Sequence, residues 1–218
     1  MENVIWRLAS AFGRCKSATQ AAWLLLLISG AQLFLPHLLP AQETIVAIRH
    51  GEKPPDGLGQ LSCKGLNRAL ALPGVLTQRF GKPDAIYAPN PSPRIFDGPH
   101  LYFYVRPLAT IEPTAISLMM PVNTKIGYLQ VGKLRSELTA RSNKSKLIFV
   151  AWEHTELNDF AKQMLRSFGN DPSAVPKWPD DDYDRIYIFK IDTSHGKPSL
   201  TFQVDQEGLN NSIKETCP

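Results

Sequence analysis

The sequence predicts an α/β domain: a three-layer sandwich with a largely parallel central sheet, helices on both faces, and a β-hairpin at its C-terminal end. Three observations carry this. Short apolar runs rich in β-branched residues, at 44–48 (T-I-V-A-I), 85–88 (A-I-Y-A) and 146–151 (K-L-I-F-V-A), have the length and side chains of buried strands. Stretches with helical spacing separate and follow them, at 58–80, 107–119, 131–141 and 157–168, and strand–helix alternation is how a parallel sheet is written in sequence. Two further extended stretches, 185–191 and 199–204, are joined directly through 192–198, as in an edge hairpin.

Residues 1–41 stand apart from that domain, which spans 42–218. Arg7, Arg14 and Lys16 precede a stretch, 18–39, with no Lys, Arg, Asp or Glu, and Pro36, Pro40 and Ala41 lie at or beyond its end. Basic, apolar, then proline and small residues is the order of a secretory signal. The apolar stretch also has nearly the length of an uncleaved membrane anchor, and that alternative stays open. Both readings place the chain after 41 outside the cytoplasm, as a periplasmic or secreted protein or one anchored by 18–39, and both limit membrane contact to that segment. The net charge is +4 and the first forty residues supply two of those units (three basic side chains against Glu2), so the domain is nearly balanced and no nucleic-acid partner is expected. Cys15 falls in the leader. Cys63 and Cys217 remain as an even pair in an oxidising compartment, where a disulfide between them is expected.

Along the domain, Ser62 is placed to cap the helix containing Leu66, Ala69 and Leu70, and Pro73-Gly74 is expected to kink or split it. Residues 90–99, with Pro91, Pro93 and Pro99, read as a loop, and 101–105 as a short extended segment. Residues 121–126 read as a third strand. Leu157, Phe160, Ala161, Met164, Leu165 and Phe168 fall on one helical face and belong to the core. His37 lies in the leader and His100 and His195 lie in loops, and none is expected to be catalytic; Asp180, Asp181 and Asp182 read as a solvated turn, with weak cation binding by three adjacent carboxylates as the alternative.

Two strands end in reactive side chains. The run 44–48 breaks into Arg49-His50-Gly51-Glu52, and 146–151 into Trp152-Glu153-His154-Thr155-Glu156. In an open α/β sheet ligands bind beyond the carboxyl ends of the strands, so both histidines are expected on one edge. Arg106 leads the helix at 107–119, where Pro107 suits the first helical position and the free N–H groups suit an anion. Two histidines and two arginines at one edge form a cationic site whose natural ligand is a phosphoryl group, with an imidazole to attack it and guanidinium forks to hold its oxygens.

With these residues in view, the chain resembles the histidine phosphatase superfamily, the fold of phosphoglycerate mutases and acid phosphatases, as an exported bacterial-type member. Arg49-His50-Gly51 matches the family's R-H-G signature. Leu61-Ser62, Gly65 and Arg68-Ala69 are similar to its L-T-x-x-G-x-x-Q-A helix, Arg106 and Thr110 to its R-A-x-x-T-A segment, and His154 to its second histidine. The resemblance covers roughly residues 44–168. It implies that His50 is the nucleophile and passes through a phosphohistidine, and that Arg49, Arg106 and His154 bind the phosphate, so that no metal or other cofactor is required. Two departures bear on it. The family's second arginine usually follows a strand-end serine closely, which makes Arg94, two residues after Ser92, a rival to Arg106. Lys53-Pro54 replaces the polar residues that follow R-H-G in mutases, which argues for hydrolysis. A general acid is needed to protonate the leaving oxygen, and Glu52, Glu153 and Glu156 are its candidates; Glu52 is the alternative orienter of the pocket arginines. The expected function is hydrolysis of small phosphomonoesters. The competing expectation is a non-catalytic phosphate-binding or scaffold protein on the same fold.

Overall fold

The computed structural model describes residues 42–218. The readings made for 1–41, the leader or anchor and Cys15 among them, lie outside the described residues.

Strand β1 (Gln42–Arg49) is buried on both faces from Ile45 to Arg49 because it has a strand on each side and a helical layer above and below. β6 (Leu147–Trp152) runs parallel to it, with Thr44 opposite Leu147 and Arg49 opposite Trp152. β2 (Ala85–Tyr87) pairs parallel with β6, and β5 (Val122–Asn123) pairs parallel with β2. On the other flank β7 (Arg185–Asp192) is antiparallel to β1, and β8 (Ser199–Gln206) is antiparallel to β7. The sheet order is therefore β5-β2-β6-β1-β7-β8, four parallel strands followed by the expected C-terminal hairpin. The third strand expected over 121–126 is reduced to two residues, because it lies at the edge with one partner and Pro121 has no N–H to give the ladder.

Alternation along β1 divides the core. Val46 and Ile48 pack with Leu72 and Leu76 of α1 (Cys63–Phe80) and with Ile111 and Ala115 of α2 (Arg106–Leu118). Ile45 and Ala47 pack with Leu134 and Leu138 of α3 (Val131–Leu138) and with Phe160, Ala161 and Met164 of α4 (His154–Ser167). The three layers are those expected. Pro73 does not break α1, which is one continuous helix. Leu72 and Leu76 are fully buried on either side of the proline. Each contributes about 1.5–3 kcal/mol by burial, which together outweighs the roughly 3 kcal/mol a proline costs inside a helix.

The loop expected at 90–99 is corrected as well. β3 (Arg94–Asp97) and β4 (His100–Phe103) form a separate antiparallel ribbon, with Ile95 opposite Tyr102 and Asp97 opposite His100. Gly98, at φ 68°, closes it in the left-handed region that a side chain resists. Cys63 and Cys217 form the expected disulfide, with a sequence separation of 154. It ties the C-terminus to the start of α1, where the Lys64 ammonium meets Glu215 at 2.8 Å and the Asn67 amide donates to the carbonyls of Lys214 and Thr216.

Candidate active site

The parallel pairing of β1 and β6 does what the two sequence motifs anticipated. The ladder extends one residue past both strands, the His50 N–H donating to the Trp152 carbonyl at 2.9 Å. His50 and His154 therefore leave the sheet at the same edge. The chain then turns at Gly51 onto the first turn of α1. A Cβ at Gly51 would stand 2.8 Å from the Gly65 carbonyl oxygen, and one at Gly65 would stand 2.3 Å from that of Glu52, so the two backbones touch and only glycine fits. The Gly51 N–H donates to Thr110 Oγ1 at 2.9 Å, and that hydroxyl donates to the Arg106 carbonyl at 2.8 Å, so α2 grips the same turn.

His50 is 2% exposed. Its Nδ1 lies 2.8 Å from the Gly51 carbonyl oxygen. A carbonyl only accepts, so Nδ1 carries the proton and Nε2 keeps its lone pair. Burial, then the charge of Arg106, and to a lesser degree that of Arg49, push the imidazole down to about 3, against smaller opposing effects of the Gly51 bond and Glu153. The ring is thus neutral and of fixed tautomer across the physiological range, with Nε2 free to act as a base or nucleophile. Tyr104 presents its edge at 6.1 Å, and Tyr183 lies on another side at 6.2 Å.

Two of the phosphate-binding candidates, Arg106 and Arg49, lie near enough for their charges to act on His50. Arg49 is buried and lies 3.9 Å from the centre of the Tyr183 ring; its Nη1 donates to the carbonyls of Asp180 (2.7 Å), Asp182 (3.0 Å) and Pro179 (3.4 Å). Arg106 is buried and paired with the Asp97 carboxylate, and it donates to the Gly57 carbonyl at 3.4 Å. Burial works against the charge on Asp97, but the hydrogen bond and charge of Arg106 and the Gly59 N–H outweigh it and hold the carboxyl below its usual range. The Nε groups of Arg49 and Arg106 have no partner among the described residues, so each guanidinium retains an unused donor. His154 is the first residue of α4, one position further into the helix than a loop residue would be; its Nε2 meets the Asp180 carboxylate at 3.0 Å and its Nδ1 lies 2.5 Å from Glu153 Oε1.

The carboxyl candidates separate. Glu52 does not orient the pocket arginines; it is held by the fork of Arg68 at 2.8 and 3.0 Å. Glu153 caps α4 by accepting from the Glu156 N–H at 2.9 Å. Burial raises its carboxyl, but the contact with His154, the Glu156 N–H and the His50 charge together bring it down to about 2. Glu156 is half-buried, and burial followed by the charges of Glu153 and Asp159 pushes it up. Arg94 is exposed on β3 and donates to the Leu101 carbonyl at 2.8 Å, so the rival arginine serves the ribbon and Arg106 stands at the site.

Some contacts at the site carry no signal in the sequence, even where the residue itself was noted in a motif or turn. Arg68, fully buried, meets Glu52, Asp184 (3.1 Å), Glu207 (2.5 Å) and Asn210 (2.8 Å), and so ties the R-H-G-E turn to the C-terminal segment. Burial pushes Glu207 up to about 8 in spite of Arg68. Asp97 and Tyr104 arrive with the ribbon. Asp180, expected in a solvated turn, reaches His154 with its carboxylate and Arg49 with its carbonyl. A cavity of about 590 Å³, lined by Lys53, Pro54, Pro55, Leu58, Leu61 and Tyr183 among others, adjoins the R-H-G-E turn.

No protein-family model matches the chain, and no curated protein matches it. Solved structures do match. A mycobacterial glucosyl-3-phosphoglycerate phosphatase aligns with 11% identity and a TM-score of 0.50, over 75% of this chain and 98% of its own. A phosphoglycerate mutase from Plasmodium falciparum (12%, TM-score 0.48) covers 75% of this chain and 89% of its own. A phosphoserine phosphatase mutant from Entamoeba histolytica in complex with phosphoserine (15%, TM-score 0.46) covers 78% and 99%. At such identities the likeness is one of architecture alone: this chain shares its fold with the glucosyl-3-phosphoglycerate phosphatase.

Proposed function

We propose that the chain is a phosphatase that hydrolyses small phosphomonoesters through a phosphohistidine at His50. The observation that carries this reading is the state of His50: buried, neutral, its Nδ1 proton tied to the Gly51 carbonyl, with the charges of Arg106 and Arg49 acting on it. Nε2 attacks phosphorus, the phosphorus–oxygen bond to the leaving group breaks, and the electron pair departs on that oxygen. Arg49, Arg106 and His154 neutralise the equatorial oxygens while the charge is shared between incoming and outgoing atoms. To do so they exchange internal partners, the Asp180 and Asp182 carbonyls, Asp97 and Asp180, for the phosphoryl group. A water then attacks phosphorus, the bond between phosphorus and Nε2 breaks with its electron pair returning to Nε2, and phosphate leaves.

Of the three carboxyl candidates, Glu153 is the one whose charge acts on both His50 and Arg49, and it is ionised at neutral pH. It takes the proton of the attacking water. An ionised carboxylate is a poor donor to the leaving oxygen, so esters of acidic alcohols, which need no proton, turn over fastest. Steady-state hydrolysis of a series of aryl and alkyl phosphates by the wild type, His50→Ala and Arg49→Ala tests this; turnover that persists in His50→Ala contradicts it.

A second reading, a non-catalytic anion-binding protein, is favoured by one observation: each pocket cation already has a protein partner. Phosphate binding without turnover of any ester supports that alternative. We further propose that residues 1–41 direct export, so that the substrates are compounds of the cell envelope or the medium; fractionation that finds the protein in the cytoplasm contradicts this.

A further inference from the structure

The foot of the sheet, at the opposite end of β1 from His50, holds a second cavity of about 440 Å³. Its most unusual wall residue is Glu43, 3% exposed, whose Oε1 has no hydrogen-bond partner among the described residues. Glu43 lies opposite Ile191 in the β1–β7 pairing, on the face of β1 that carries Ile45 and Ala47, and so it points beneath the α3–α4 layer. Burial pushes its carboxyl up to about 8, with Lys146 alone pulling the other way, the behaviour of a carboxyl that lacks a close cation. A buried oxygen left unpaired destabilises the fold, and a ligand that pairs with it relieves that cost.

A second orphan of opposite sense belongs to a residue in the wall of the same cavity. Arg135, near the end of α3, also lines it, and its buried Nε–H has no partner among the described residues. One group lacks a donor and the other lacks an acceptor. The last turns of α3 and α4 end here, at Thr139 and Phe168, and helix C-termini favour positive charge. Arg141 and Lys144, both exposed, stand at the mouth and favour negative charge. The lining also has an apolar part, formed by Phe168, Ile191 and Pro198.

We infer that this cavity is a binding site for a small zwitterion of the amino-acid class with an apolar side chain: its ammonium pairs with Glu43, its carboxylate with Arg135 and the basic mouth, and its side chain lies on Phe168, Ile191 and Pro198. The volume is within the range of small-molecule sites. The site is independent of the phosphoryl pocket, and it stands whether or not His50 is a nucleophile.

Titration calorimetry on the full chain, with L-leucine as probe, tests it. Two analogues that each keep one charge, 3-methylbutylamine and 4-methylpentanoate, serve on the wild type as controls that need no mutant to fold. The expected result is saturable one-to-one binding of leucine, at least tenfold weaker binding of both analogues, and at least tenfold loss of leucine affinity in Glu43→Gln. No leucine binding up to 10 mM overturns the inference. So does 4-methylpentanoate binding as tightly as leucine, which marks a simple anion site, or 3-methylbutylamine doing so, which marks a simple amine site. Unchanged leucine affinity in a folded Glu43→Gln overturns it as well.

Discussion

Two strand ends deliver the two histidines, and they are built in opposite ways. At the end of β1, His50 is locked by main chain: its N–H joins the ladder to Trp152, its ring is fixed by the Gly51 carbonyl, and Gly51 is pressed on Gly65. At the end of β6, His154 is partly exposed and touched by two carboxylates, Glu153 and Asp180, of which Asp180 is 97% exposed. Main-chain partners cannot leave, whereas side chains in water can. The difference fits the roles proposed above: the group proposed to bond to phosphorus is held in one tautomer, and the group proposed to contact the oxygens can exchange partners.

Mutation can break that contrast. His50→Ala removes the nucleophile and should lower kcat by about 10³-fold or more, while His154→Ala, which removes one contact to the oxygens, should cost about 10²-fold. Equal losses would erase the distinction. Arg68→Met is next in size, acting on the fold rather than the chemistry. It leaves Glu52, Asp184 and Glu207 buried without their cation, and urea unfolding should report a loss of about 3–5 kcal/mol.

The locked ring also predicts a pH dependence. The unfolded imidazole takes a proton near its ordinary value of 6.5, while the folded one refuses it until about 3. A depressed folded value means stability that is full above pH 6.5 and is lost as the pH falls toward 3. Melting temperatures between pH 7 and 4 should fall less steeply in His50→Gln than in the wild type. For the exchangeable histidine, Asp180→Ala removes a competing carboxylate and should tighten inorganic phosphate binding a few-fold at most, since water screens so exposed a pair; weaker binding would show that Asp180 assists the anion. The smallest effect is expected for Arg94→Ala, which should leave kcat unchanged and stability within about 0.5 kcal/mol.

The same contrast explains how much the sequence disclosed. The β1 and β6 turns were legible because strand length, apolar run and the residue following it are all local. The three layers, the strand-edge histidines, the helix led by Arg106 and the Cys63–Cys217 pair follow from such local patterns and from composition. What remained hidden joins residues far apart in the chain. Asp180 meets Arg49 and His154 across 131 and 26 residues, and Glu207 meets Arg68 across 139. A run of three aspartates has no local feature that separates a solvated turn from a strap over a site. The β3–β4 ribbon was masked by Pro91, Pro93 and Pro99, although Ile95 and Asp97 alternate inward as a strand requires. The continuity of α1 through Pro73 is likewise decided by its packing on the sheet and not by its own residues.

The central claim is that His50 Nε2 bonds to phosphorus. The most direct measurement is to mix the full chain with a radiolabelled aryl phosphate, quench in alkali, and examine the protein for phosphate that is stable to base and released by acid. The account predicts label on the wild type and on His154→Ala, and none on His50→Ala. Turnover by the wild type with no acid-labile label, or label that persists in His50→Ala, would contradict it.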